Sequence, residues 1–319
     1  MAEKWQRKGR LDLLADVAEL YYLKGASQAE IAQELGVTRS MVSRMLTDAR
    51  EHGMVKIQIE RPINENTDLE QKLVRRFKLQ KAIVIETLNN QNRLSVLARA
   101  AARYLAESLE PGQILGTSWG TAISATADEL HLNTPIPGVR VVQLLGSLGA
   151  RIKVYDGLSI VRRLVEKLDG EGIYLNAPLL VENEEVAEIL LASRGVQETL
   201  NYGCQADVAL LGIGSTSFDY SPYYLAGHVS QEELLEMVAQ KTVGDVCGIF
   251  FDINGKLTYP ELQKRIIGID IDKFLKIPVR LAVAGGPEKI NPVLGALRGN
   301  YINTLVTDAN TALSVLIQS

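Results

Sequence analysis

The chain has 319 residues, 46% of them hydrophobic and 23% charged, with a net charge of 34 − 38 = −4; this is globular composition, which excludes collagenous, fibrous and mainly disordered classes. No apolar run reaches the roughly 18 residues that a membrane-spanning helix needs, and residues 1–10 are polar and basic, so no membrane partner and a cytoplasmic location are expected. An acidic chain can touch nucleic acid only through a local basic surface, and Cys204 and Cys247 lack the spacing of a metal site or disulfide framework, which fits a reducing compartment.

In chain order, residues 11–24 carry Leu13, Leu14, Val17, Leu20 and Tyr21 at helical spacing, and Gly25 ends that helix. Ser27 and Glu30 form a capping box that opens a second helix, residues 28–35. Gly36 makes the turn, and Thr38 caps a third helix, 39–51, whose expected buried stripe is Met41, Val42, Met45 and Leu46. Gly53 stops it, and residues 54–59 alternate like a short strand. Two short helices joined by a glycine turn, with a third ahead, form the helix-turn-helix pattern, and the strand would make it winged.

A three-helix bundle that never meets DNA shows the same periodicity. The run Ala29–Thr38 favours the helix-turn-helix: small Ala29 and Ala32 permit close helix approach, Gly36 suits the turn and Val37 anchors it. Gln28, Thr38, Arg39, Ser40, Ser43 and Arg44 are the expected DNA-facing residues, since Arg can fork to guanine and hydroxyls can reach phosphates or bases. Segment 1–61 has 10 − 9 = +1 net charge, with Lys4, Arg7, Lys8 and Arg10 as a basic arm.

Residues 66–79 read as one amphipathic helix, with Thr67 and Glu70 at capping-box spacing and Leu69, Leu73 and Phe77 every four residues. It could pack on its own chain or form a dimer seam with a partner. Beyond it, strands are expected at 82–85, 113–116, 139–145, 173–176, 207–212, 246–251, 278–283 and 304–306. Helices are expected at 93–108, 121–130, 157–168, 184–191, 231–240, 290–298 and 309–317. This alternation predicts a large α/β domain with a mostly parallel sheet covered on both faces. The expected domains are 1–61 for DNA, 62–80 as linker or oligomerisation helix, and 81–319 for an effector.

Three constellations lie at the carboxyl ends of these strands, where open α/β sheets bind ligands. Gly116, Thr117, Ser118, Trp119, Gly120 and Thr121 lie between a strand and a helix, a ready anion site without the P-loop ending. Gln143, with Gly146 and Ser147, is a candidate hydroxyl reader, although a Gln there can equally satisfy nearby backbone. Asp252 could bind sugar hydroxyls or form an Asx turn, and Lys289 stands where a helix begins, a place that suits a cation only with a negative partner. His52, His131 and His228 build no acid/base motif, so no catalysis, metal or cofactor is indicated.

The segments 20–22, 28–39 and 42–46, together with Gly212-Ile213-Gly214, Gly244-Asp245-Val246-Cys247, 251–255 and 295–308, resemble the SorC family of bacterial transcriptional regulators over nearly the whole chain. The resemblance implies a DNA-binding head on an effector domain similar to sugar-phosphate isomerases and glucosamine-6-phosphate deaminases. It implies a phosphorylated sugar as effector, control of a carbohydrate operon, and homodimers or homotetramers on double-stranded operator DNA. By position, residues 116–121 look like the phosphate loop, Gln143, Gly146 and Ser147 the sugar-binding strand end, Asp252 the hydroxyl reader and Lys289 the cation at the phosphate. The alternative is an isomerase- or deaminase-like enzyme with an appended helical module, which would need an acid/base pair at the strand ends.

Overall fold

In the computed structural model the chain divides into two compact units, Met1–Pro62 and Ile63–Ser319. The structure describes residues 9–55, 63–86, 93–132, 134–149, 154–258 and 260–319.

In the first unit, α1 (Arg10–Ala18) continues through a π-helical turn, Glu19–Leu23, and is followed by α2 (Gln28–Leu35) and α3 (Arg39–Glu51). Each boundary has a local cause. Gly25 and Gly36 take left-handed φ of 70° and 68°, open to glycine without steric cost. The Ser27 N–H donates to Glu30 Oε2 at 2.7 Å and the Glu30 N–H to Ser27 Oγ, the expected capping box. Thr38 Oγ1 accepts from the Met41 N–H at 3.3 Å. Leu14, Val17, Ile31, Val42, Leu46 and Ala49 form the core. Met41, expected in the buried stripe, is 54% exposed. Val42, Leu46 and Ala49, at i, i+4 and i+7, define the inward face and leave Met41 outside it. Of the expected strand 54–59, Met54 and Val55 are not strand and the rest lies outside the described residues.

The second unit runs α4 (Thr67–Phe77), β1 (Lys81–Ile85), α5 (Arg93–Ser108), β2 (Ile114–Thr117), α6 (Thr121–Glu129), β3 (Arg140–Gln143), α7 (Gly157–Leu168) and β4 (Glu171–Ile173). It continues with α8 (Glu184–Ala192), α9 (Arg194–Cys204), β5 (Val208–Gly212), α10 (Pro222–Leu225), α11 (Gln231–Ala239), β6 (Thr242–Val246) and β7 (Ile249–Asp252). It ends with α12 (Pro260–Gln263), α13 (Ile271–Phe274), β8 (Val279–Val283), α14 (Ile290–Arg298), β9 (Thr304–Asp308) and α15 (Ala309–Ile317). Seven parallel strands form one sheet in the order β1-β9-β8-β5-β2-β3-β4.

Both faces are covered, as nearly continuous apolar strands require. Ile83, Leu115, Leu210 and Val283 point to one face, under α5, α6 and α7. Val84, Ile114, Leu211 and Ala282 point to the other, under α4, α14 and α15. The helix α4 is therefore part of this unit. Leu69 and Leu73 are buried in its core and Phe77 packs against it, so the dimer-seam expectation fails for this stripe. Its cap is Asn66, whose Oδ1 accepts from the Leu69 N–H; Glu70 instead accepts the Val84 N–H of edge strand β1 at 3.0 Å.

One expected strand, 246–251, is an antiparallel hairpin, β6–β7, that turns at Cys247 and Gly248 with φ of 51° and 75°. Two consecutive positive φ values define the hairpin turn whose twist suits flanking strands.

Candidate functional site

On the head, Thr38, Arg39, Ser40, Ser43 and Arg44 are all exposed, off the Val42–Leu46–Ala49 stripe. Gln28 is half-buried at the start of α2 and lines one shallow groove with Arg39, Tyr22 and Ser27. Thr38, Ser40 and Ser43 thus present three hydroxyls, Gln28 an amide, and Arg39 and Arg44 two guanidinium groups on one small helical unit.

In the second unit, a cavity of about 470 Å³ opens at the carboxyl ends of β2, β5 and β8. After β2 the chain moves to β3 and β4; from β5 it moves the other way, to β8 and β9. The strand order reverses between β2 and β5, the switch point at which open α/β sheets form a crevice. Ser118, Trp119, Gly120 and Thr121 line one side, with Gly212, Ile213 and Gly214 beside them. Ala284, Gly285, Glu288 and Lys289 come from the β8 end, Arg93 and Leu97 from α5, and Asp245 and Cys247 from the β6–β7 hairpin.

Asp245 is the most constrained group in the wall. Its Oδ2 accepts from the Tyr223 hydroxyl at 3.2 Å and from the Gly248 N–H at 3.1 Å, which also pins the hairpin turn. Its Oδ1 lies 1.8 Å from where a Cβ on Gly214 would sit, so only glycine fits there. Burial raises its carboxyl from an ordinary 3.8 to about 6, against the opposing pull of Gly248, Tyr223 and Lys289. Lys289 ends a 3₁₀ turn, Pro287–Lys289, and its Nζ donates to the Ile213 carbonyl at 2.6 Å. Burial lowers its ammonium pKa, and Asp245 and Glu288 pull it part of the way back. Trp119 is 8% exposed, with its ring edge-on to Tyr223 at 5.3 Å. Its indole N–H is buried with no hydrogen-bond partner among the described residues, an arrangement that folding alone does not favour. α6 begins at Gly120 with no side-chain cap; the Gly120 N–H donates to the Tyr155 carbonyl at 3.0 Å, and Gly120, Thr121 and Ala122 line the cavity.

The expected effector residues separate into two groups. Ser118, Trp119, Gly120, Thr121 and Lys289 line this cavity. Gly116 and Thr117 lie beneath it in β2: Gly116 leaves room for Leu144, whose side chain would be 2.9 Å from a Cβ, and the Thr117 hydroxyl donates to the Leu210 carbonyl. Gln143, Gly146, Ser147 and Asp252 are not in the wall, a correction with clear causes. The Gln143 amide is fully buried; it donates to the Leu145 carbonyl at 2.6 Å and accepts from the Leu175 N–H. Gly146 is held against the Pro178 carbonyl, and the Ser147 N–H donates to Ala177. These bonds tie the β3 exit to the loop after β4. Asp252 forms the Asx turn, accepting from the Asn254 and Lys256 N–H groups at 2.8 and 2.9 Å.

Arg93 and Asp245 line the cavity and were not among the residues expected from the sequence. Asp245 left a signal: a lone carboxylate inside an apolar strand run. Arg93 opens an ordinary amphipathic helix and left none.

A family model described as "Putative sugar-binding domain" matches residues 61–317, and one described as "Sigma-70, region 4", a helix-turn-helix, matches residues 15–52. This defines the class: a DNA-binding head followed by a sugar-binding domain. The Sorbitol operon regulator of Klebsiella pneumoniae is 33% identical over 94% of this chain and 96% of its own length. Its full-length crystal structure superposes with a TM-score of 0.73, covering 96% of this chain and 99% of that one. The Deoxyribonucleoside regulator of Bacillus subtilis is 30% identical over 95% of this chain and 97% of its own, and the Transcriptional regulator LsrR of Escherichia coli K12 is 32% identical over 95% and 94%. The chain belongs to the SorC family of transcriptional regulators. It is a DNA-binding regulator with a sugar-binding domain and not an enzyme, so the isomerase or deaminase alternative is set aside.

Proposed function

We propose that this regulator controls a carbohydrate-metabolism operon in the cytoplasm, and that a phosphorylated sugar in the switch-point cavity sets its affinity for double-stranded operator DNA. The observation that carries this reading is the cavity wall: a buried Asp245 facing Lys289, a Trp119 N–H without a partner among the described residues, and a helix start at Gly120 without a side-chain cap. A helix N-terminus suits a phosphate, through N–H groups and the positive end of the dipole. Ser118, Gly120 and Thr121 would hold it, with Lys289 as a cation at its edge. Asp245, acceptor-only when ionised, would read sugar hydroxyls in the role first expected of Asp252. A likeness of the effector unit to sugar-phosphate isomerases and deaminases is part of this proposal and would put the ligand at the same sheet edge.

Gln28, Thr38, Arg39, Ser40, Ser43 and Arg44 would meet DNA, with the arginines reading bases and the hydroxyls positioning the backbone. A two-fold operator needs two heads, so a homodimer or homotetramer is part of the reading. The test is a thermal-shift panel of sugars and sugar phosphates, followed by a gel shift with DNA selected from a random pool. A ligand at 100 times its Kd adds about 2.7 kcal/mol of stability. A phosphorylated sugar that stabilises the protein and changes its DNA affinity supports the proposal; stabilisation by none of the panel rejects it.

A further inference from the structure

The head carries one large apolar side chain in a turn that is otherwise polar. Met41 is 54% exposed in the first turn of α3, where Arg39, Ser40 and Arg44 are exposed as well. A single exposed apolar side chain is ordinary on a protein surface. The place of this one is not, because it stands in the turn expected to meet DNA. Its backbone is held there by the helix cap: the Met41 N–H donates to the Thr38 carbonyl at 2.9 Å and to Thr38 Oγ1 at 3.3 Å.

Two neighbours on the helix surface define the setting. Met45, four residues on and so on the same side, is half-buried and packs against the head's core. Met41 continues that apolar edge one turn further, beyond the core, to the N-terminal end of α3. Arg44, three residues on, is the polar neighbour, about 60° away around the helix axis.

A helix-turn-helix enters the major groove with the N-terminal residues of its second helix nearest the base edges. An apolar side chain has little to read there. The base edges offer hydrogen-bond donors and acceptors, and the one apolar group among them is the C5-methyl of thymine. Methionine gives up little hydrogen bonding in such a contact, since its thioether is only a weak acceptor, and its unbranched chain adapts to an irregular apolar surface.

We infer that Met41 reads a thymine methyl group in the major groove, beside the base contacted by Arg44. The inference rests on the DNA-facing reading of α3 proposed above and adds a base identity to it: each half-site holds a thymine recognised through its methyl group, adjacent to the guanine that Arg44 would fork to.

The experiment uses the full chain without effector and a DNA site selected from a random pool. Each thymine of that site is replaced in turn by uracil, which keeps every hydrogen-bonding group of the base and removes only the methyl. In gel-shift titrations one thymine per half-site, next to the base pair at which Arg44→Ala relaxes the preference, should be sensitive. Uracil there should weaken wild type about three- to tenfold. Met41→Ala should bind the thymine and uracil sites equally, and Met41→Leu should restore the difference. The readout is the ratio of the two Kd values, which a merely structural role of Met41 would not move. If no thymine is sensitive to uracil, or the sensitive one keeps its ratio in Met41→Ala, Met41 does not read the methyl; a loss of affinity in Arg44→Ala would then still uphold the DNA-facing reading of α3. If the pool yields no site, or Arg44→Ala and Met41→Ala both bind as wild type does, that reading fails and this inference fails with it. Melting of each variant without DNA checks that it is folded.

Discussion

The head and the effector unit solve recognition in opposite ways. The head keeps its polar side chains outside: Arg39, Ser40, Ser43 and Arg44 lie exposed on one helix, and Leu14, Ile31, Val42 and Leu46 hold that helix up. The effector unit brings its polar groups inside, and they come from α5, the β2 exit, the β6–β7 hairpin and the β8 exit. An exposed reading surface costs no desolvation in the free protein. A buried one does, and Asp245 shows it in a carboxyl that holds its proton to about pH 6. The site is thus built against the stability of its own unit, a common signature of a ligand site.

The largest effect that would sharpen this contrast is Asp245→Ala. It removes the acceptor for ligand hydroxyls and leaves Lys289 without its facing carboxylate. Two hydrogen bonds to a charged group, at roughly 1.5–3 kcal/mol each, correspond to a hundredfold or greater loss of effector affinity. DNA binding without effector should be unchanged; a variant that still binds the effector as wild type does removes Asp245 from the site.

Next is the pH dependence of folding. The folded carboxyl titrates near 6 and the unfolded one near 3.8, so only the unfolded chain releases this proton between those values. Asp245 should therefore lower stability as pH rises from about 4 to 6, by up to about 3 kcal/mol, and have no further effect above. Urea melts of wild type and Asp245→Asn over that range should differ in slope. Parallel curves would show that the carboxyl is not desolvated.

On the head, Arg44→Ala should cost about 1–3 kcal/mol of DNA affinity, with the melting temperature and effector titration unchanged. A gel shift on selected DNA with wild-type affinity would strike Arg44 from the reading set. The smallest effect belongs to Asp252→Ala. Loss of its turn bonds should cost about 1 kcal/mol of stability and leave effector affinity alone; a tenfold weaker effector would return Asp252 to the site.

The difference between the two units also explains what a one-dimensional reading can reach. The head's helices, caps and exposed face follow from short-range spacing, because Ser27 with Glu30 and Thr38 with Met41 act over three positions. The effector unit's parallel sheet follows from the same kind of evidence, since apolar strands alternating with amphipathic helices have few ways to be buried. Gln143 and Asp252 show the limit. Each was a polar residue at a strand end with a local and a ligand-facing option, and the local option was realised: Gln143 bonds Leu145 and Asp252 bonds Asn254, both two residues away.

Periodicity and capping act through neighbours in the chain, so the sequence by itself determined the helix-turn-helix, the strand–helix alternation and the Trp119–Thr121 turn at the sheet's edge. Which of two polar neighbours faces a ligand depends on groups that meet only when β2, β5 and β8 lie side by side. Tertiary structure alone decided that Asp245 stands against Gly214 and Tyr223, that Lys289 reaches Ile213, and that Arg93 pairs with Asp308, 215 positions along the chain (308 − 93 = 215). The physical reason is that burial and charge pairing depend on distance in space, and no local pattern encodes that distance.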